Sequence, residues 1–116
     1  MLSTTTFRRG DVVLVPFPFT DLTGNSQRPA LVISDDPYHQ TTDDIIIALI
    51  TGRISTARRA GDHTIQDWQN AGLLRPSKVR ARLATIDGRI VVRGLGHMPA
   101  TDMSAFENGL RAVLGF

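Results

Sequence analysis

The chain has no cysteine among its 116 residues. That excludes a disulfide framework and thiolate chemistry, and it suits a reducing cytoplasm. No apolar run approaches the roughly 20 residues that a membrane-crossing helix needs, so no membrane partner is expected. The stretch from Met1 to Arg9 lacks the apolar segment of a secretory signal. There is no Gly-Lys-Ser/Thr phosphate loop, no G-x-G-x-x-G and no G-x-S-x-G. His39, His63 and His97 stand apart from one another, without metal-ligand spacing. The acidic pairs Asp35-Asp36 and Asp43-Asp44 flank a turn and read as turn formers. Neither a metal nor a cofactor is therefore expected. Lysine is almost absent: Lys78 is the only one, beside twelve arginines.

What is present fits one globular domain, 1–116, with 41% apolar residues. The net charge of +2 hides an uneven division. Residues 1–50 sum to −3, residues 51–100 to +6 and residues 101–116 to −1. The basic middle is almost all arginine, whose planar fork suits bidentate contact with phosphate and stacking on bases. A polyanion is the partner that such a charge distribution fits.

Two apolar, β-branched runs dominate the pattern. One reads Arg28-Pro29-Ala30-Leu31-Val32-Ile33-Ser34, the other Asp44-Ile45-Ile46-Ile47-Ala48-Leu49-Ile50-Thr51. Both read as buried strands, the second central because it is apolar on both faces. Paired antiparallel, they bring the start of one beside the end of the other, so Arg28 and Thr51 share one edge of a sheet. Before them, Val12 to Val15 forms a strand. Pro16 and Pro18 place it at a sheet edge or leaving the sheet. After them, residues 52–64 form a basic loop with a short strand near its end. Thr64 reads as the N-cap of a short helix carrying Trp68 and Leu73 and ended by Gly72. Residues 77–84 alternate, with Lys78, Arg80 and Arg82 on a cationic outer face. Asp87-Gly88 gives a hairpin signal before a last strand at Ile90 to Arg93. A final helix from Thr101 or Asp102 stacks Met103, Phe106, Leu110, Val113 and Leu114 on one stripe, with Gly115 as its stop. The expected fold is mainly β: a small, strongly curved sheet or barrel of about five to seven strands, with a short internal helix and a C-terminal helix.

Phosphodiester cleavage in RNA needs little more than such an edge can supply. The ribose 2′-OH attacks the adjacent phosphorus, and charge grows on the phosphoryl oxygens. A fixed guanidinium stabilises that charge, and a threonine hydroxyl adds a hydrogen bond or orients the 2′-OH. Arginine, with a pKa above about 12, is a poor base. A proton acceptor is still needed, and Asp35, Asp36, His39, His63 or solvent all remain open.

Three segments, in this order, resemble the MazF/PemK family of toxin endoribonucleases. The first is Arg9 to Asp21 (Arg-Gly-Asp-Val-Val-Leu-Val-Pro-Phe-Pro-Phe-Thr-Asp) leading into Arg28-Pro29-Ala30-Leu31-Val32-Ile33-Ser34. The second is Ile45 to Thr51. The third runs from Leu73-Leu74-Arg75-Pro76-Ser77-Lys78-Val79-Arg80 through Leu83-Ala84-Thr85-Ile86-Asp87 to Leu95-Gly96. The resemblance implies an SH3-like barrel, a homodimer and a cognate antitoxin partner. It also implies metal-independent cleavage of single-stranded RNA, leaving 2′,3′-cyclic phosphate and 5′-OH ends. The family's catalytic Arg and Thr match Arg28 and Thr51. Candidates for RNA contact are Pro18, Thr20, Asn25 and Gln27 in the loop after the first strand, and Arg53, Arg58, Arg59, Ser77, Arg80 and Arg82 in the basic part. Two features depart from some family members. Arg80-Ala81-Arg82 stands where they carry an acidic base, and Asn25 and Gln27 lie in the loop where they carry a histidine. Two other readings compete: a noncatalytic nucleic-acid-binding barrel, and a CcdB-like gyrase-inhibiting toxin.

Overall fold

The computed structural model describes residues 7–16 and 27–116. Within them, six strands form one antiparallel sheet: β1 (Asp11–Pro16), β2 (Gln27–Val32), β3 (Asp44–Thr51), β4 (His63–Thr64), β5 (Lys78–Asp87) and β6 (Arg93–His97). Their order across the sheet is β4-β5-β3-β2-β1-β6. One turn of helix, α1 (Asp36–His39), links β2 to β3, and α2 (Ala100–Leu114) closes the chain. The architecture is the expected one, a curled β-sheet with a C-terminal helix.

β3 lies inside the sheet because neither of its faces can meet water. Rows of paired residues cross the strands alternately up and down. Val12, Leu31 and Ala48 form one row, facing the side of Ile50, Val79 and Phe106. Val13, Ala30 and Leu49 form the next, facing the opposite side with Val15, Val32, Ile45 and Ile47. The first face is covered by α2 through Phe106 and Leu110, and by Ile65, Ala71 and Leu73 from the segment before β5. The second is closed by Phe7, Ile86 and Val91. Phe106 and Leu31 are each at most 1% exposed, and burial of such a side chain contributes about 1.5–3 kcal/mol.

β5 bends sharply. Between Ala48 and Ile50 of β3 it runs from Leu83 to Val79, so two extra residues bulge out around Arg80 to Arg82. The adjacent segment packs backbone to backbone on β6. A Cβ on Gly72 would stand 2.0 Å from the Leu95 carbonyl oxygen, and one on Gly96 would stand 2.5 Å from that of Ala71.

Four local expectations differ from the structure. β1 is not at an edge, since it pairs with β2 and β6; of the two alternatives the strand takes the other, ending at Pro16, so no ladder donor is lost inside. The segment after Thr64 makes turns rather than a helix, because Asp102 takes the Gln66 and Asp67 N–H groups and Gly72 turns at φ +85°. Asp87-Gly88 opens no hairpin. A 3-10 turn (Gly88–Ile90) carries the chain to β6, which begins at Arg93 and pairs with β1. Finally, Lys78 and Arg80 do not form a solvated outer face, being 3% and 9% exposed. The segment before β4 covers them. The C-terminal helix and its Gly115 stop at φ +83° match the expectation. Val113 and Leu114, however, are exposed at the end of its stripe.

Candidate functional site

The β2–β3 ladder pairs Ala30 with Leu49, Leu31 with Ala48 and Val32 with Ile47. Continued two residues beyond its last pair, that register sets Arg28 opposite Thr51. β1 places Val15 beside Arg28, β5 places Lys78 beside Thr51, and β4 places Thr64 beside Lys78. One row of side chains thus crosses five strands: Val15, Arg28, Thr51, Lys78, Thr64. It lies on the face of Ala30, Val32, Ile47 and Leu49; Val15 still belongs to that packed core, and Arg28 and Thr51 stand one step past its end. The same alternation that buries Ala30 and Leu49 aims Arg28 and Thr51.

Arg28 is half-buried, and its Nη1 reaches the Gln27 carbonyl at 3.4 Å. Thr51 is half-buried, and its Oγ1 accepts the Arg53 N–H at 3.2 Å, turning the chain out of β3. Lys78 carries a cation into the interior. Its Nζ donates to the Thr56 carbonyl at 3.2 Å and stands 3.6 Å from Asp62 Oδ2. Arg80 Nη2 stands 3.4 Å from the same oxygen and donates to Thr56 Oγ1 at 3.1 Å. Asp62 Oδ2 also accepts the Arg59 N–H at 2.9 Å, and Arg58 Nη2 donates to the Asp62 carbonyl at 3.1 Å. Lys78 and Arg80 therefore clamp the segment between β3 and β4, while Arg53, Arg58 and Arg59 remain exposed on it. Two buried cations against one buried carboxylate leave excess positive charge beside Thr51, where a low dielectric amplifies it.

The other sequence candidates distribute as follows. Gln27 opens β2 and is exposed. Ser77 is buried at the entry to β5, its Oγ donating to the Arg75 carbonyl at 2.9 Å. Arg82 is exposed on the bulge of β5. Pro18, Thr20 and Asn25 lie outside the described residues. Three groups escaped the sequence reading. Alternation alone groups Lys78 with a solvent face, and Asp62 carries no signal beyond a Gly-Asp turn. Arg75 lies with its stem over Gly52, where a Cβ would meet Arg75 Cδ at 2.7 Å.

The proposed proton acceptors are not in the row. Asp35, Asp36 and His39 follow Val32, at the end of β2 away from Arg28. His39 is held between Ser34 Oγ at 2.6 Å and the Phe7 carbonyl at 2.8 Å. His63 Nε2 bonds Asp102 Oδ1 at 2.7 Å on the opposite face of the sheet. Burial opposes the charge of Asp102, but hydrogen bonds from Gln66, His63 and Asp67 outweigh it and hold the carboxyl below the usual carboxylate range.

A family model described as PemK-like, MazF-like toxin of type II toxin–antitoxin system matches residues 8–114. A search of curated proteins gives no match. Among solved structures, an endoribonuclease from Mycobacterial species superimposes with a TM-score of 0.75 at 18% identity, covering 97% of this chain and 94% of that one. MazF from Deinococcus radiodurans gives 0.75 at 23% identity, covering 97% and 99%. A Mycobacterial endoribonuclease in complex with its cognate antitoxin gives 0.72 at 22% identity, covering 96% and 97%. The structural likeness carries the fold, and the family model spans nearly the whole described sheet and helix. The chain belongs to the PemK-like, MazF-like toxins of type II toxin–antitoxin systems.

Proposed function

We propose that the chain is a metal-independent endoribonuclease that cleaves single-stranded RNA at the Arg28–Thr51 edge. The observation that carries this reading is the row Arg28, Thr51, Lys78 on one face at the ends of β2, β3 and β5. In the reaction the 2′-oxygen loses its proton and bonds to phosphorus. The bond from phosphorus to the 5′-oxygen breaks, and that oxygen takes up a proton. The products are a 2′,3′-cyclic phosphate and a 5′-OH. Arg28 meets the charge that grows on the phosphoryl oxygens, and Thr51 Oγ1 hydrogen-bonds the phosphate or the 2′-OH. Buried Lys78 adds positive potential from below. With Asp35, Asp36, His39 and His63 placed elsewhere, the 2′-OH proton passes to solvent. The exposed arginines 53, 58, 59 and 82 carry the flanking phosphates.

The family's description and the neighbours solved with antitoxin support a cognate antitoxin as the second partner. We extend the reading to a cytoplasmic homodimer acting as one domain per chain. The test incubates purified wild type and Arg28→Ala with long single-stranded RNA in excess EDTA and analyses the fragment ends. Discrete fragments with cyclic-phosphate ends from the wild type alone are expected, with the variant's stability within about 1 kcal/mol of wild type. Intact RNA in both samples, bound in a salt-dependent way, refutes cleavage and leaves a binding barrel.

A further inference from the structure

Among the described residues, two buried side-chain polar atoms have no partner in the protein: Asp62 Oδ1 and Arg80 Nε. They belong to residues that touch each other and are only 5% and 9% exposed. Asp62 takes Arg59 N–H, Lys78 and Arg80 on one oxygen and nothing on the other. Buried polar atoms are nearly always satisfied, so two such exceptions in one contact call for a cause. Both residues line one depression of about 240 Å³, with Arg59, Ala60, Ala81 and Arg82. Arg80 is two residues from Lys78, about 7 Å along the strand that borders Thr51.

We propose that this depression is a base-reading subsite: Asp62 Oδ1 and Arg80 Nε lie covered beneath its surface, and one unpaired nucleobase entering it uncovers them, the oxygen accepting from and the N–H donating to its polar edge. The inference rests on the RNA reading above and adds the residues that set its sequence preference. The chemistry selects the ligand class. A free anion meets a carboxylate oxygen that repels it. A metal cation meets Lys78 and Arg80 beside the one carboxylate. A nucleobase edge offers an N–H next to a ring nitrogen or carbonyl, which matches one acceptor beside one donor. Arg59 and Arg82, at the rim, face the phosphates on either side, and the two alanines leave the width that a flat ring needs.

The test uses the full chain as wild type, Asp62→Asn and Ala60→Phe. Ala60 is exposed, so Ala60→Phe fills the depression without touching the buried charges, and thermal unfolding verifies that each variant folds. Binding is measured to 2′-O-methyl oligoribonucleotides, which lack the nucleophile, varied one position at a time. Cleavage-site preference is read in parallel on randomised RNA. The expected result is a preference of about tenfold for one base at one position, altered by Asp62→Asn and lost in Ala60→Phe. If the folded Ala60→Phe protein keeps the wild-type preference, the depression holds ordered water only and the inference falls, whatever Asp62→Asn does. Wild-type protein that binds none of the oligonucleotides overturns it too. A preference that moves with the variants while no RNA is cut upholds the subsite and refutes the nuclease. Cleavage at unchanged sites in Ala60→Phe does the reverse.

Discussion

Replacing Asp102 by alanine should destabilise this fold more than any change on its surface. The carboxylate is 2% exposed and sits in the first turn of α2, yet it caps nothing in its own helix. It accepts the Gln66 N–H at 2.8 Å, the Asp67 N–H at 3.1 Å and His63 Nε2 at 2.7 Å, tying α2 to β4 and to the turn that follows. Alanine strands all three donors. Each stranded donor costs about 1–3 kcal/mol. Because water enters part of the space, we expect a total of about 3–5 kcal/mol, the range for breaking a buried pair. At about 4 °C per kcal/mol for a chain of this size, Tm falls by roughly 12–20 °C. Asp102→Asn keeps one acceptor and should lose about half as much. The pH dependence has a definite sign. The folded carboxyl titrates below the ordinary 3.8 of a free aspartate. Its contribution is therefore full above that value and is lost as pH falls through the lower folded value. Urea unfolding followed by Trp68, the only tryptophan and a near neighbour of Asp67, measures both effects. A loss under about 1 kcal/mol for the alanine variant at neutral pH would refute the bridging role. So would a difference between wild type and Asp102→Asn that stays constant into acid.

Four further outcomes follow from local geometry. Gly72→Ala meets both a left-handed backbone and the Leu95 carbonyl, so it should cost about 3 kcal/mol or more. Gly94→Ala, with nothing within 4 Å of its new Cβ, should stay within about 1 kcal/mol of wild type in the same denaturant titration. Ser34→Ala removes the acceptor of the Ile46 N–H (2.9 Å) and the partner of His39. It should cost about 1–3 kcal/mol and speed amide exchange at Ile46; unchanged exchange would show that the hydroxyl holds nothing. Asp87, whose side-chain and backbone hydrogen bonds with Arg89 lower its carboxyl to about 2, should titrate higher in Arg89→Ala but still below the ordinary aspartate value, because the backbone N–H of residue 89 keeps donating to it. NMR titration of the side chain checks this.

The two apolar runs were legible because burial on both faces leaves a β-branched segment little alternative to a central strand. Their antiparallel pairing, and hence the shared edge of Arg28 and Thr51, followed from the same pattern. What could not be read was anything decided by a distant segment. Asp102 looks like an N-terminal helix residue, and only the chain around Gln66 makes it a bridge. Asp87-Gly88 has the chemistry of a hairpin turn, but β6 finds its partner in β1, where even the nearest pair, Leu14 with Arg93, is 79 residues apart in sequence. Local propensity says nothing of that choice.

Lys78 shows most clearly how tertiary context reverses a pattern. Alternation assigns it correctly to the face opposite Val79 and Ala81. That face would be wet if the sheet ended there. The segment from Gly52 to Asp62 folds over it instead, bringing a carboxylate and the carbonyl of Thr56 to the ammonium. The one carboxylate does not balance both cations, since Arg80 draws on the same Asp62 oxygen. The excess lies one strand from Thr51 and two from Arg28. A packed apolar face therefore continues along β2 and β3, and past the bulge of β5, into a row of positive and hydroxyl groups. The core fixes the direction of each side chain in that row, and the covering segment fixes its charge.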